Sequence, residues 1–174
     1  MRTRGFEKVS TFEGINLPKR ATKHAAGYDF EAAEEVVIPS IYKSGIATAL
    51  KVAFNKEDIF MDEAMLKQVK PTLVPTGVKA YMGEEEFLQL CNRSSNPMKN
   101  FLLLGNGVGV IDSDYYDNDD NEGHIMFQFI NFGLKDMVIK KGERIGQGIF
   151  LPFLKADGDE AGIDRTGGFG SSGK

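Results

Sequence analysis

Cysteine is almost missing from this chain. Cys91 stands alone among 174 residues, which excludes an intramolecular disulfide and a cysteine-built zinc cluster. Histidine is nearly as scarce. His24 and His124 are the only two, and both read as incidental rather than as ligands. No apolar run approaches membrane-spanning length, and no basic segment followed by an apolar stretch opens the chain. Neither a membrane span nor an export signal is therefore expected, and the cytoplasm is the expected location. An excess of charge is missing too. Lys and Arg number 21 against 25 Asp and Glu, a net charge of −4. That speaks against general nucleic-acid binding and leaves room for a small phosphorylated ligand met by a few local cations. There is no internal repeat, no coiled-coil pattern and no regular strand–helix alternation of a doubly wound sheet.

Glycine and phenylalanine are plentiful, at 20 and 13 residues. They favour a turn-rich β protein with aromatic packing. A length of 174 residues fits one domain. Short strand-like runs recur: Val36–Ile38 before Pro39, a loose alternation over 45–54, Leu73 and Val74, 78–82, 101–104, 108–111, Met137–Ile139 and 145–150 before Pro152. Over 125–132, Ile125, Phe127 and Phe129 share one face by alternation. Residues 55–70 differ. Ile59, Met61, Met65, Leu66 and Val69 recur at helical steps up to Pro71, which predicts an amphipathic helix. The expected fold is an all-β, jelly-roll-like barrel over 1–164 with one short helical insertion near 55–70. A glycine-rich tail, 165–174, follows it.

Six stretches carry possible chemistry. Asp29, in Ala26-Gly27-Tyr28-Asp29-Phe30, is either a turn cap or a carboxylate for the waters of a hydrated magnesium ion. Cys91-Asn92-Arg93-Ser94-Ser95-Asn96-Pro97 is either a polar loop or a phosphate grip, with a guanidinium fork and serine hydroxyls. Residues 105–115, Gly-Asn-Gly-Val-Gly-Val-Ile-Asp-Ser-Asp-Tyr, have the glycines of a dinucleotide fingerprint, but no helix follows to complete it. Asp112 instead suits a general base for water, and Tyr115 an apolar wall for a sugar. A strand-end turn with acidic caps is the plainer alternative. Residues 117–122 have the composition of a calcium loop without its pattern and read as a solvated hairpin tip. In 142–147, Gln147 is a polar residue in a strand-like run, as a ligand-facing amide would be, while Arg144 suits a structural ion pair. The tail offers Arg165, Phe169, Ser171, Ser172 and many glycine amides. Those groups suit closure over a nucleotide, with cation and N–H groups for phosphate and a ring for the base.

Taken in this order, the stretches at 26–30, 91–97, 105–115, 142–147 and 165–174 resemble the trimeric deoxyuridine triphosphatase (dUTPase) family. Gly-Val-Ile-Asp-Ser-Asp-Tyr and Gly-Gly-Phe-Gly-Ser-Ser-Gly are the most specific matches. The length and the inserted segments resemble a phage or prophage member, whose location would be the cytoplasm of the bacterial host. The resemblance implies a dUTPase-type barrel, a homotrimer with active sites shared between subunits, magnesium as cofactor, and hydrolysis of dUTP to dUMP and pyrophosphate. It implies that Asp112 activates the water that attacks the α-phosphorus. Asn106, with backbone groups of the same hairpin at Gly107 and Val110, would read the uracil edge. Tyr115 would lie beneath the deoxyribose. Arg93, Ser94, Ser95 and Gln147 would contact the phosphates, and Asp29 the hydration shell of magnesium. Arg165, Phe169, Gly170, Ser171 and Ser172 would form the closing lid.

Three departures stand out. Gly123 comes late after Tyr115, so that hairpin is longer than usual. The spacing between Arg165 and the glycine pair is one residue short. The 55–70 insertion is extra, and is either a surface decoration or a docking site for a protein partner. The alternatives are a dual dUTP/dCTP pyrophosphatase of the same fold, a dCTP deaminase relative, and a regulatory protein that uses the trimer as a platform.

Overall fold

Alternation of side chains accounts for the strands that build the core. The computed structural model describes residues 2–43 and 70–161. Its strands are β1 (Gly5–Lys8), β2 (Lys19–Arg20), β3 (Tyr28–Glu31), β4 (Val36–Ile38), β5 (Thr72–Pro75), β6 (Val78–Tyr81), β7 (Glu86–Asn92), β8 (Leu102–Leu104), β9 (Gly109–Asp112), β10 (Met126–Asn131), β11 (Met137–Ile139) and β12 (Arg144–Pro152). Along β10, Phe127, Phe129 and Asn131 are buried while the residues between them are half-exposed, the period of two that a half-buried strand requires.

The strands pair antiparallel in four sheets: β1-β6, β5-β10-β8, β11-β4 and β2-β3-β12-β7-β9. This corrects the expected jelly-roll barrel. Each sheet has two open edges among the described residues, and none curls round to close. Strand count and spacing report how many strands exist but not whether the first edge meets the last. The helical insertion is not supported either. The helical elements lying wholly among the described residues are a π-turn at Asn96–Asn100 and a 3-10 turn at Ser113–Tyr115. The run expected to be helical lies outside the described residues, apart from Lys70 at its end.

The core gathers Phe30, Ile38, Val74, Leu88, Leu102, Ile125, Phe127, Phe129, Ile139 and Ile145, all nearly or fully buried. Phe30 and Phe127 meet with ring centroids 5.6 Å apart, and Phe127 stacks parallel to Phe129 at 6.1 Å. β12 lies directly on these rings. A Cβ at Gly146 would fall 1.9 Å from Phe127, and one at Gly148 would fall 2.7 Å from Phe30. The absent side chains are what let a nine-residue strand lie flush on aromatic rings.

Gly146→Ala should therefore overpack the core and destabilise the fold by about 1–3 kcal/mol. A lowered midpoint in chemical denaturation, with the slope unchanged, checks this; an unchanged midpoint would mean that β12 shifts away without strain.

Candidate active site

β12 brings three of the predicted residues together. Gln147 is in register with Asp29 on β3 at one side and with Cys91 on β7 at the other. The Gln147 amide donates Nε2–H to Asp29 Oδ1 at 3.0 Å. Arg144 donates from Nη1 to Asp29 Oδ2 at 3.1 Å, and the Asp29 side chain is only 10% exposed. Asp29 is thus a strand residue held at both oxygens, not a turn cap. Arg144 forms the structural ion pair that its setting suggested. Both reach Asp29 because the register slips between Arg144 and Gly146. Residues three apart on a regular strand face opposite ways. The bulge turns Ile145 and Gly146 inward in succession and re-aims Arg144 onto the face of Gln147.

The loop after β7 closes over the bulge. Arg93 donates from Nη1 to the Arg144 carbonyl at 2.9 Å. Asn96, buried and opening the π-turn, donates Nδ2–H to the Ile145 carbonyl at 2.8 Å and to Asn92 Oδ1 at 2.7 Å. Ser94 is exposed and Ser95 half-buried beside them. Asn96 is a site-building residue that sequence reasoning passed over. Its only sign was an amide in front of proline.

The hairpin between β8 and β9 supplies a second group. Asn106 and Gly107 lie at its exposed tip, where Gly107 has φ +68° and donates its N–H to Leu104 O at 2.9 Å. Val110 on β9 is 58% exposed. Asp112 ends β9 opposite Phe87, and the 3-10 turn that follows buries Tyr115 to 5% exposure. The Tyr115 hydroxyl donates to the His124 carbonyl at 3.0 Å and accepts Nδ2–H of Asn121 at 2.9 Å.

Asp112 and Asp29 do not meet within one chain. Asp112 shares a row with Phe87 and Leu151, whereas Asp29 shares one with Gln147 and Cys91. The rows are four residues apart along β7, and β3 is three strands from β9. At about 3.4 Å per residue and about 4.8 Å per strand, the carboxylates of Asp29 and Asp112 stand roughly 20 Å apart. Arg165, Phe169, Gly170, Ser171 and Ser172 lie outside the described residues.

The acidic run 117–122 is more than a solvated tip. Lys79 forms ion pairs with Asp117 and, at 3.3 Å, with Glu122. Glu122 also accepts from the Ser10 hydroxyl, and Tyr116 donates to Glu7 at 2.5 Å. That bond and burial push the Tyr116 phenol up to about 12. Asp117, Asp119 and Asp120 keep the exposed character expected of the run, and Asn118, Asn121 and Glu122 are half-buried. Beneath it, the buried His124 ring accepts the Gly77 N–H at Nε2, 2.9 Å away. Burial pushes its imidazole down from 6.5 to about 4, against a weaker upward pull from Glu122. Among the described residues no cluster of three or more acidic, histidine or cysteine side chains could hold a metal ion, and no helix is long and apolar enough to cross a membrane.

The dUTPase family model matches residues 59–173. Over 177 aligned residues, the chain is 49% identical to the deoxyuridine 5'-triphosphate nucleotidohydrolase of Lactococcus lactis subsp. lactis strain IL1403, covering 99% of both proteins. Its fold is similar to the crystal structure of a dUTPase from Streptococcus mutans. That match has a TM-score of 0.71 and 44% identity, over 88% of this chain and 99% of the other. A dUTPase from phage phi11 of S. aureus matches with a TM-score of 0.63 at 17% identity, over 98% and 99%. That likeness is one of fold, so the expected phage or prophage kinship has no closer support than a shared fold.

Native His124 stays neutral where an unfolded chain takes up a proton. Between about pH 6.5 and 4 the unfolded state therefore binds more protons, and stability falls as pH drops through that window. His124→Gln, which keeps an acceptor for Gly77, should flatten this part of the profile of melting temperature against pH. A slope equal to that of the native protein would show that other groups set it.

Proposed function

We infer the working of this site from one premise: the chain belongs to the dUTPase family, and it hydrolyses dUTP to dUMP and pyrophosphate. Membership also supports magnesium as cofactor and a trimeric assembly in general terms. The finer reading concerns which residues act and from which chain. Asp112 stands roughly 20 Å from Asp29 by the strand spacings. That separation carries the reading. A single triphosphate is met by both groups when one chain supplies the phosphate-binding end of its sheet and a neighbour supplies β9 and the turn after it.

In this arrangement Arg93, Ser94, Ser95 and Gln147 hold the phosphates. Arg93 is fixed by its bond to the Arg144 carbonyl, and Gln147 by its bond to Asp29, so neither needs to reorganise as charge grows on the leaving group. On the neighbouring chain, Asn106 and the backbone at Gly107 and Val110 meet the uracil edge. The strand from Val110 to Asp112 runs alongside the nucleoside towards Tyr115. Asp112 takes a proton from water, the water oxygen bonds to the α-phosphorus, and the α–β bridge breaks to release pyrophosphate. The tail, through Arg165, Phe169, Gly170, Ser171 and Ser172, would close the site and exclude bulk water.

Asp29 does not suit a direct metal ligand, since both its oxygens accept hydrogen bonds and Arg144 offsets its charge. It suits contact with a metal-bound water, because each oxygen keeps a second lone pair. Magnesium commonly retains several waters and binds through substrate phosphates, and when bound it would neutralise phosphate charge. The 55–70 segment as a docking site for a protein partner stays a separate proposal, and pull-down with and without that segment tests it.

Asp112→Asn should lower dUTP turnover by roughly 10²-fold or more, in the range for losing acid–base help. Pyrophosphate release measured on dUTP, dCTP, dTTP and UTP reads this together with the preference for dUTP. Retained turnover would remove Asp112 as base, and comparable rates on dCTP would favour the dual-substrate alternative. Sharing between chains has its own readout. Asp112→Asn chains mixed with Arg93→Ala chains should recover about a quarter of native activity by random assembly of closed rings. No recovery after subunit exchange would place the whole site in one chain.

A further inference from the structure

Two asparagines of the excursion 116–123 are bonded back onto Tyr115. Asn118 donates Nδ2–H to the Tyr115 carbonyl at 2.7 Å and to Asn121 Oδ1 at 3.0 Å. Asn118 Oδ1 accepts the N–H groups of Asp120 and Asn121 at 3.1 and 3.2 Å. Asn121 donates to the Tyr115 hydroxyl and accepts the Gly123 N–H at 3.1 Å. His124 accepts the Tyr115 hydroxyl proton at its carbonyl, and its own N–H returns to Asn121 O at 3.0 Å. Gly123, at φ +80°, lies so close that a Cβ there would be 2.5 Å from the Tyr115 carbonyl oxygen.

We propose that this excursion is a buckle that fixes the Tyr115 ring, and that Asn121 is a positioning residue for discrimination between deoxyribo- and ribonucleotides. The inference rests on the reading that Tyr115 lies beneath the sugar. A phenylalanine would provide the same wall, so the hydroxyl needs a separate reason. A buried hydroxyl is costly unless it is bonded, and here the excursion supplies partners at both the donor and the acceptor side. A phenol ring turns about two side-chain torsions. Holding its hydroxyl at one end and its main-chain carbonyl at the other fixes where the ring axis points, and the preference of phenol hydrogen bonds for the ring plane restrains rotation about that axis. A ring set this way excludes a 2′-hydroxyl by position, not by chance contact. The late glycine is explained as well. The longer hairpin folds back and delivers Gly123 against Tyr115.

The test is the ratio of kcat/KM for dUTP to that for UTP. Asn121→Asp keeps the acceptors used by Gly123 and Asn118 and removes the donor to Tyr115. Tyr115→Phe keeps the ring and removes the hydroxyl. Both should lower the dUTP/UTP ratio by about tenfold, the scale on which small misplacements act, and UTP should gain more than dUTP loses. A ratio at the native value in both variants would overturn the proposal. If Asn121→Asp does not fold, Tyr115→Phe decides alone. Tyr115→Ala separates the two levels. A collapsed ratio there beside native ratios in the other variants would sink the buckle alone, whereas a native ratio in Tyr115→Ala would remove Tyr115 from the sugar site altogether.

Discussion

Everything at this site hangs on how β12 lies against the aromatic core. Gly146 and Gly148 face Phe127 and Phe30 at distances no side chain would permit. Gln147, between them, must then face the other way, because successive residues of a strand alternate. Its amide is thereby delivered to Asp29 on the next strand. The same contact explains the bulge. With Gly146 and Ile145 both turned inward, the strand has one residue too many for its pairing with β3. The strand end swings, and Arg144 joins Gln147 on the outer face. The bulge also leaves the carbonyls of Arg144 and Ile145 to be met by side chains. Arg93 and Asn96 take them, which anchors the loop carrying Ser94 and Ser95.

The electrostatics at this end of the sheet follow from that anchoring. Arg93 and Arg144 bring two cations near one carboxylate, Asp29. Arg144 is spent on Asp29, while Arg93 is oriented by a neutral carbonyl and keeps its charge uncompensated by that contact. A cation positioned by a dipole retains more attraction for an incoming anion than one already paired. This asymmetry favours Arg93 as the phosphate contact and Arg144 as its support.

Much of this was legible in the chain, and the losses have physical causes. The alternation at Phe127 and Phe129 announced β10, and the β-branched runs at Val36–Ile38 and Met137–Ile139 announced β4 and β11. β3 was not announced, since Gly27 before it and Asp29 within it look like turn residues, and it is pairing with β2 and β12 that makes 28–31 a strand. β7 was blurred by its charged start at Glu86. The barrel expectation failed because closure depends on pairing between distant edges, which local periodicity does not encode. The proposal of Asp29, Arg93, Asp112 and Gln147 as site residues came from a family resemblance. The distance between Asp112 and Asp29 came from register, which no single stretch displays. Asn96 and Asn121 were invisible because an asparagine announces a loop whether it decorates the loop or holds it together.

The order of residues in the acidic excursion has its own logic. Asn118 and Asn121 alternate with Asp117, Asp119, Asp120 and Glu122. The neutral amides turn inward onto Tyr115, and the carboxylates turn outward to Lys79, Ser10 or solvent. A carboxylate at position 121 could accept from the tyrosine but not donate to it, and would set a fixed negative charge beside a site that must admit a polyphosphate. An amide satisfies both sides of the hydroxyl network without that charge. The ion pairs with Lys79 sit at the rim, where Asp117 and Glu122 remain partly exposed and salt screens them. The bonds that set the ring are thus neutral and interior, and those that respond to ionic surroundings are kept one layer away from it.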